Sequence, residues 1–416
     1  MSPDKTSAQD LMVAMTSAEG GAVPPNRSSN VRRTNMVGRG RHVVSLVVWC
    51  VGLAVAGACG GTTGPESSEV AAAGGGQAAP AREAPAPPIE LVKTNTMANP
   101  YRMLPNWPNL EGIKPGAAIG IVPDGTGGLW LQHRSDPGVL RIDTNGKITK
   151  RFEGVTFSQA HGLCRDRDGN FWAVDSGPFG DGPDVGVRGN QVFKYNPDGK
   201  LLLTLGQAGV GKAGTDTFIQ PSACRETPDG NILIADGHWP RPTTIQQDGD
   251  RLVWYSRDGK FLKEFGRHGR GPGEFMGPHG LAFDSQGRLL VADRSNNRIQ
   301  IFDKDMNVVD EWAHFGRPSN LWILKDDTLL VADSESNRRI GGAADAPEGG
   351  GNAIRNPGWK NGIRIGSAKD GSLTHFIDGT RPEGLGADEL GNIFGGLTGG
   401  CDTSASGGCL QKFVKK

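Results

Sequence analysis

The sequence predicts an all-β protein folded as a six-bladed β-propeller, and three observations support this prediction. Glycine is abundant, with 64 among 416 residues, and Gly, Asp and Asn turn signals separate short runs of β-branched residues. Few stretches show the periodicity of a helix. One sixteen-residue unit recurs without gaps at 119–134, 161–176, 222–237, 279–294, 319–334 and 383–398. A repeat of about 40–60 residues with room for four strands is typical of propeller blades.

A ring built from this repeat needs a closing strand. The last copy ends after three strands, at "CLQKFV", and we expect "IELVKT" (89–94) to supply the fourth. Pairing between the two ends of the chain would remove the exposed edges of the first and last blades. Longer connections at 177–190, 240–250 and 341–362 fall at corresponding places in three blades, which indicates a functional face.

The first 90 residues differ in composition from the rest. Residues 1–58 are predicted to be an upstream extension and a signal peptide, with a basic start near Met36, a short apolar core and small residues before Cys59. The ending "AGAC" resembles a bacterial lipobox, so we expect export and lipidation of Cys59, facing the periplasm or cell exterior. An ordinary cleaved signal peptide and an uncleaved anchor remain open. Residues 59–90 predict a Gly/Ala/Pro-rich tether, and 91–416 the propeller.

The charge balance limits the possible binding partners, and the cysteine content bears on the cellular compartment. The 45 basic and 45 acidic side chains balance, so we expect no nucleic acid partner and membrane contact only through the N-terminal anchor. Export permits disulfides, and Cys401 with Cys409 would close a short loop. For Cys164 and Cys224, in neighbouring blades, a bridge and buried free thiols both remain open because the blade separation could exceed disulfide reach.

The first position of the repeat opens the innermost strand of each blade, so its residues should form a ring near one mouth of the channel. In blade order the ring is Ile119, His161, Ser222, His279, Ser319 and Glu383. Strong metal-ligand types occupy blades two, four and six, so we expect His161, His279 and Glu383 to form a triangle. Two imidazoles and one carboxylate suit Zn²⁺, with iron or manganese as alternatives. A wet channel lined by polar residues is the simpler explanation.

The last position of the repeat forms a second ring, with Arg134 in blade one and Arg294 in blade four. Two guanidinium groups beside a cation would favour a carboxylate-bearing substrate, and surface salt bridges are the alternative. His238 follows this position in blade three and is expected to lean over the same mouth, as a general base or a further metal ligand. A purely structural hydrogen bond remains open for it.

An aspartate precedes the last position in four blades. We predict a structural role for it, since an aspartate there can satisfy backbone donors at the turn after the second strand. The four residues are Asp175, Asp236, Asp293 and Asp333.

The unit "GPHGLAFDSQGRLLVADRSNNRIQIFD" resembles an NHL repeat. Together with "HRSDPGVL", "HGL", "QPS", "ADG" and "RPEGL", it makes residues 115–413 similar to a peptidyl-α-hydroxyglycine α-amidating lyase. The resemblance implies a zinc ion held partly by His161 and His279. It also implies that Arg134 and Arg294 act on the substrate carboxylate and the reacting centre. The implied reaction cleaves the C–N bond of a peptide-like α-hydroxy-amide acid and releases an amide and glyoxylate.

The sequence departs from the family at three positions. Glu383 stands in place of the third histidine, His238 in place of a tyrosine base, and Gly384 in place of an aspartate associated with a structural Ca²⁺. Zinc accepts a set of two histidines and one glutamate, so binding survives on chemical grounds. Two alternatives to the lyase stay open: a metal-dependent hydrolase such as a lactonase, and a non-catalytic cell-surface NHL binding module.

Overall fold

The computed structural model describes residues 94–416 except 111, 114–115, 180–181, 240, 243, 339–354 and 400–407. The described residues form six four-stranded antiparallel sheets, which confirms the predicted six-bladed propeller. Strand β1 (Tyr101–Met103) comes before the first complete sheet in the chain.

Each of the first five blades takes four consecutive strands, with the first strand innermost and the fourth outermost. Blade one contains β2 (Ala118–Pro123), β3 (Leu129–His133), β4 (Val139–Ile142) and β5 (Ile148–Arg151). Blade two contains β6 (Ala160–Arg165), β7 (Phe171–Asp175), β8 (Gln191–Tyr195) and β9 (Leu201–Leu205). Blade three contains β10 (Pro221–Glu226), β11 (Ile232–Asp236), β12 (Arg251–Tyr255) and β13 (Phe261–Phe265).

The remaining blades follow the same order until the ring closes. Blade four contains β14 (Pro278–Phe283), β15 (Leu289–Asp293), β16 (Arg298–Phe302) and β17 (Val308–Trp312). Blade five contains β18 (Asn320–Ile323), β19 (Thr328–Asp333), β20 (Gly362–Ser367) and β21 (Leu373–Ile377). Blade six contains β22 (Gly384–Ala387), β23 (Ile393–Gly396) and β24 (Leu410–Lys415), with β1 as its outermost strand.

The closing strand comes from the N-terminal side, as predicted, but from a different segment. Tyr101 pairs with Lys415 and Met103 with Phe413, so β1 covers the edge of β24. The predicted segment 89–94 is not the closing strand, and apart from Thr94 it lies outside the described residues. Either segment would satisfy the requirement to cover an open edge, which explains why hydrophobic patterning did not distinguish them.

Alternating side chains join each blade to both neighbours. In β7, Phe171 packs toward blade one, with its ring centroid 4.5 Å from that of Trp130. The next residue, Trp172, is fully buried in the cluster that includes Ile234 of blade three. Successive residues of a strand point to opposite faces, so one buried strand serves two interfaces. Truncating Trp172 to alanine is expected to cost about 3–5 kcal/mol of folding free energy.

The four repeat aspartates are structural, and they bind two segments of backbone. Asp175 and Asp333 accept hydrogen bonds from amides of the turn after the second strand, as predicted. All four also bind the segment that leads into the first strand. Asp175 accepts hydrogen bonds from the backbone amides of Ser158 (2.8 Å) and Gln159 (2.6 Å), just before β6. Asp293 accepts one from Met276 (2.8 Å), just before β14. Asp236 and Asp333 bind the equivalent approaches to β10 and β18. These bonds fix how the chain enters the innermost strand, where the first repeat position lies.

Cys164 and Cys224 form a disulfide between blades two and three, with their Cα atoms 5.7 Å apart. The bridge is within reach because it joins β6 and β10, the innermost strands, where neighbouring blades converge. Cys409 is also disulfide-bonded, while Cys401 lies outside the described residues.

The long connections at 177–190, 240–250 and 341–362 join the second to the third strand of blades two, three and five. The second strands that precede them end at Asp175, Asp236 and Asp333, at the same end of each blade. Within the described residues, no helix has the length and apolar character needed to cross a membrane. The predictions for residues 1–58 and 59–90 lie outside the described residues.

Candidate metal centre

A β-bulge turns the first residue of the repeat toward the axis. In blade four, Pro278 pairs with Asp293 and Gly280 with Ala292, so His279 is the extra residue between two paired positions. The innermost strands of blades one, two and three break register at the same place. A bulge re-aims a side chain that regular pairing would hold in the sheet, and here it helps bring several first-position residues together.

The two first-position histidines are held in one tautomer. His161 Nδ1 donates to the backbone oxygen of Ser222 (2.5 Å), and His279 Nδ1 donates to that of Ser319 (2.6 Å). Burial lowers the pKa of His161 and lowers that of His279 to about 3, so both rings are neutral at physiological pH. A neutral imidazole carries one proton, which leaves a lone pair on Nε2 of each ring. Both Nε2 atoms are buried without a hydrogen-bond partner.

Glu383 completes the triangle. Its Oε1 lies 3.5 Å from His161 Nε2, 3.2 Å from His279 Nε2 and 3.3 Å from Arg294 Nη1. The Thr398 hydroxyl donates to Oε2 (2.8 Å), which orients the carboxylate. Burial favours the neutral acid, but the charge of the Arg294 guanidinium opposes it, and the pKa of Glu383 lies well below its usual range.

The contacts between Glu383 and the histidines cannot be ordinary hydrogen bonds. Nδ1 of each ring already carries the proton, so Nε2 and the carboxylate oxygen both present lone pairs. A buried set of converging lone pairs is stabilised by a cation at the point where they meet. Tetrahedral zinc bonds of about 2.0–2.1 Å would place ligand atoms about 3.3–3.4 Å apart, close to the distances here. With His238, these side chains place four ligand atoms within 4.8 Å of one another, so the cluster can hold a metal ion.

His238 lies on the loop after β11 and faces the same centre. Its ring stacks on Phe179, with centroids 4.1 Å apart and an interplanar angle of 12°. Nε2 accepts a hydrogen bond from Arg294 Nη2 (3.0 Å), while Nδ1 is buried without a partner. Burial and the charge of Arg294 hold its pKa well below the usual range, so the ring is neutral. Arg241 supports the loop, since its Nε donates to the His238 backbone oxygen (2.9 Å).

Arg294 is buried and bonded on nearly every edge. Nη1 donates to Glu383, and Nη2 donates to His238 and to the Trp239 backbone oxygen (2.7 Å). Its Nε has no hydrogen-bond partner and lies 3.9 Å from Glu335 Oε2. Arg294 therefore links two carboxylates and an imidazole.

Arg134 occupies the same repeat position but is far less engaged. Its Nε donates to the Ala160 backbone oxygen (3.1 Å), and its guanidinium lies 5.2 Å from the centroid of the Phe179 ring. No hydrogen bond from Nη1 or Nη2 to another described residue is present. Burial lowers the pKa of Arg134 to about 10, so the group stays cationic and available to an anion.

Sequence reasoning missed Phe179 and Glu335. Phe179 lies in the long connection 177–190, whose sequence does not repeat in the other blades, so no sequence signal marked it. Glu335 in blade five stands at the same offset from its repeat as His238 in blade three, and extending the register by one residue would have identified it. Three further arginines, Arg317, Arg338 and Arg355, form ion pairs with Glu335.

A cavity of about 30 Å³ lies in the channel beside the histidines. Its lining includes Ser222 and Arg225, whose guanidinium is 4.9 Å from the centroid of the Trp322 ring. The His161, His238, His279 and Glu383 cluster is the one group of metal-ligand side chains found among the described residues. Gly384 offers no side-chain ligand for the structural Ca²⁺ associated with the aspartate that the family has at this position.

Comparisons with known proteins agree with the repeat and the fold. Residues 275–302 match the model of the NHL repeat. Human NHL repeat-containing protein 3 is 29% identical over 269 residues, covering 60% of this chain and 71% of that protein. Rat peptidylglycine alpha-amidating monooxygenase is 30% identical over 248 residues, covering 51% of this chain and 23% of that protein. A Caenorhabditis elegans protein named probable peptidyl-alpha-hydroxyglycine alpha-amidating lyase is 25% identical over 181 residues, covering 42% and 46%.

Among solved structures, a gluconolactonase from Xanthomonas campestris superposes with a TM-score of 0.52 at 15% identity, covering 80% of this chain and 96% of that one. This likeness concerns the fold. The chain spans less than a quarter of the rat monooxygenase, so that protein's activity does not transfer directly. The protein is thus a six-bladed β-propeller with an NHL repeat at residues 275–302, similar in sequence to peptidyl-α-hydroxyglycine α-amidating lyases.

Proposed function

We propose that this protein is a metal-dependent lyase of the amidating type, which cleaves an α-hydroxy-amide acid into an amide and glyoxylate. The observation that carries the proposal is the buried set of lone pairs on His161, His279 and Glu383, flanked by Arg134 and Arg294. A binding module would have no use for such a costly buried arrangement.

His161, His279 and Glu383 are the residues that would hold the metal, with Zn²⁺ as the preferred ion. Their carbonyl and hydroxyl partners, on Ser222, Ser319 and Thr398, orient them from behind. A divalent ion here would supply a Lewis acid that makes the substrate α-hydroxyl more acidic.

The two arginines favour a substrate with a carboxylate. Arg134 presents Nη1 and Nη2 without described partners, which suits the forked recognition of a carboxylate. Arg294 is tied to Glu383 and His238, so it belongs to the reacting centre. We assign substrate binding chiefly to Arg134.

His238 is proposed as the base. The Nε2 lone pair is covered by Arg294 Nη2 in the structure. The α-hydroxyl of a bound substrate takes the place of that donor at Nε2, and the lone pair then accepts the α-hydroxyl proton. The C–N bond then breaks, the hydroxyl carbon becomes the aldehyde of glyoxylate, and the imidazolium returns the proton to the departing amide nitrogen. Atoms and charge balance without an oxidant or a second substrate.

Metal analysis and a lyase assay test the proposal on the purified domain. We expect near-stoichiometric metal and glyoxylate release from α-hydroxyhippurate, both lost in His279→Ala. His375→Ala is the matched control, because His375 lies on β21, the outermost strand of blade five. Full metal with ester or lactone hydrolysis but no glyoxylate would indicate the hydrolase. A metal-free protein without either activity would indicate the binding module.

We also propose that the propeller works outside the cytoplasm, anchored through Cys59. The support is the signal-like segment at 36–59 and the Cys164–Cys224 disulfide, a bond rare in reducing compartments. Mass spectrometry of the mature N-terminus tests this, with Cys59→Ser as the variant. We expect a lipid-modified N-terminal cysteine in the parent, and an unmodified N-terminus in the parent would contradict the anchor.

A further inference from the structure

A second acidic residue lies beside the candidate centre, surrounded by arginines. Glu335 is 5% exposed and lies on the loop after β19 in blade five. Oε2 is 3.2 Å from Arg317 Nε and also pairs with Arg355, while Oε1 is 3.3 Å from Arg338 Nη1. Burial alone would raise the pKa of Glu335, but these guanidinium groups and Arg294 lower it to about 2. The carboxylate is therefore ionised throughout the physiological range.

Glu335 and Glu383 hold opposite edges of the same guanidinium. Arg294 Nη1 contacts Glu383, and the Nε edge faces Glu335 at 3.9 Å. Arg294 Nε is buried and has no hydrogen-bond partner, so its charge on that side is compensated through space by Glu335. The second carboxylate opposes the attraction of Glu383 on the guanidinium and adds to the hydrogen bonds from Nη2 to His238 and Trp239.

The surroundings of Glu335 are themselves fixed. Arg317 Nη2 donates to Ser295 Oγ (3.1 Å), and Arg317 Nη1 donates to Asn297 Oδ1 (3.3 Å). Ser295 and Asn297 follow Arg294 in the chain, within and just after its short 3₁₀ turn. Glu335 thus reaches Arg294 by two routes, directly through charge and indirectly through Arg317 and the turn that carries Arg294.

We propose that Glu335 is a positioning residue for Arg294. This inference rests on the proposed function. The carboxylate holds the Nε edge of Arg294 while Nη1 and Nη2 stay directed at Glu383 and His238. Its charge has a second effect, since it offsets nearby guanidinium charge and keeps the mouth from binding inert inorganic anions.

The test uses Glu335→Gln in the metal-loaded protein, since glutamine keeps the shape and removes the charge. We expect unchanged metal content and a fall in kcat for glyoxylate release of about 30-fold. We also expect sulfate to bind about tenfold more tightly, as measured by calorimetry, because the negative charge that repels the anion is gone. Glu264→Gln is the matched control: Glu264 also pairs with an arginine, Arg251, but lies on β13 at the outside of blade three.

The double variant Glu335→Gln with Arg317→Gln separates position from charge. It restores the net charge but not the carboxylate that faces Arg294. We expect sulfate affinity within about threefold of the parent and kcat as low as in the single variant. Should Glu335→Gln not fold, Glu335→Asp keeps the charge but withdraws the carboxylate by one methylene, and we expect lower kcat with parental sulfate affinity.

Parental kcat in a folded, metal-loaded Glu335→Gln or Glu335→Asp would overturn the positioning role. Parental sulfate affinity in Glu335→Gln would overturn the role in charge compensation. If the parent protein releases no glyoxylate, the proposed function fails, and the positioning role fails with it. The sulfate comparison then still decides whether Glu335 controls anion binding.

Discussion

Arg134 and Arg294 occupy the same position of the repeat in blades one and four, yet their surroundings differ. Arg294 lies between two carboxylates, an imidazole and a backbone oxygen. Arg134 has one backbone oxygen and the face of Phe179. The repeat position therefore fixes where the backbone of each arginine lies, and residues from neighbouring blades decide which contacts its guanidinium makes. One arginine belongs to the reacting centre, and the other is available to an incoming anion.

The largest expected effect is that of Arg294→Gln. Losing this guanidinium leaves Glu383 and Glu335 less compensated and removes the donor that orients the His238 ring, so we expect kcat/KM to fall by about 10³-fold, mostly through kcat. Steady-state kinetics of glyoxylate release measures it. A loss confined to KM would mean that Arg294 acts as a simple substrate clamp, like Arg134.

Arg134→Gln should change mainly KM, whereas Arg294→Gln should change mainly kcat. Its removal deletes a substrate contact but no contact with the metal-ligand residues, so we expect KM to rise about 30–100-fold with kcat within about threefold. The same kinetics, run on the same preparation as Arg294→Gln, measures both constants. Equal effects of the two substitutions on kcat would refute the difference between the arginines.

Thr398→Val tests how the orientation of the Glu383 carboxylate, which contacts Arg294, affects metal binding. Without the hydroxyl, Oε2 loses its 2.8 Å hydrogen bond and the carboxylate can rotate. We expect metal affinity to fall about tenfold, as is common when a ligand loses its orienting partner. Competition with a chromogenic chelator measures the affinity. Ser176→Ala, at the equivalent position in blade two, is the control and should keep parental affinity.

The smallest effect expected is on the pH dependence of metal binding. Burial, and then the charge of Arg294, lower the pKa of His279 to about 3, so protons compete with the metal only as pH approaches that value. Between about pH 7.5 and pH 5 we expect less than a tenfold loss of affinity. Two histidines with ordinary pKa values would lose about 10³-fold over the same range.

Chelator competition at several pH values distinguishes these outcomes. In Arg294→Gln one cause of the low pKa disappears, and we expect the affinity to fall more steeply with acid. Arg134→Gln should leave the dependence set by His279 nearly flat. A steep parental profile would contradict the neutral, buried state assigned to both ligand histidines.

The fold was largely predictable because the same pattern of strands and turns recurs in six copies of the repeat. Hydrophobic alternation and turn residues recur in each blade, so an error in one copy is corrected by the others. The closing strand occurs once and has no repeat to support it. Many short segments can cover an edge, and the strand that does so, Tyr101–Met103, follows the predicted segment 89–94 in the chain.

The candidate site likewise contains residues that the repeat predicts and residues that it does not. His161, His279 and Glu383 share a repeat position, so their convergence on the axis followed from pseudo-symmetry. Phe179 lies beyond the repeat unit, in a long connection whose sequence does not repeat in the other blades, and nothing in its neighbours along the chain marks it. Glu335 did have a counterpart, His238, and could have been found from the register.

The amino-acid sequence by itself determined the number of blades, the ring of first-position residues and the two arginines of the last position, because each depends on periodicity. Only the tertiary structure decided the histidine tautomers, the Cys164–Cys224 bridge and the pinning of Arg294 between Glu383 and Glu335. These depend on distances of a few ångströms between strands far apart in the chain. Such distances are set by bulges and blade packing, which residue spacing does not specify.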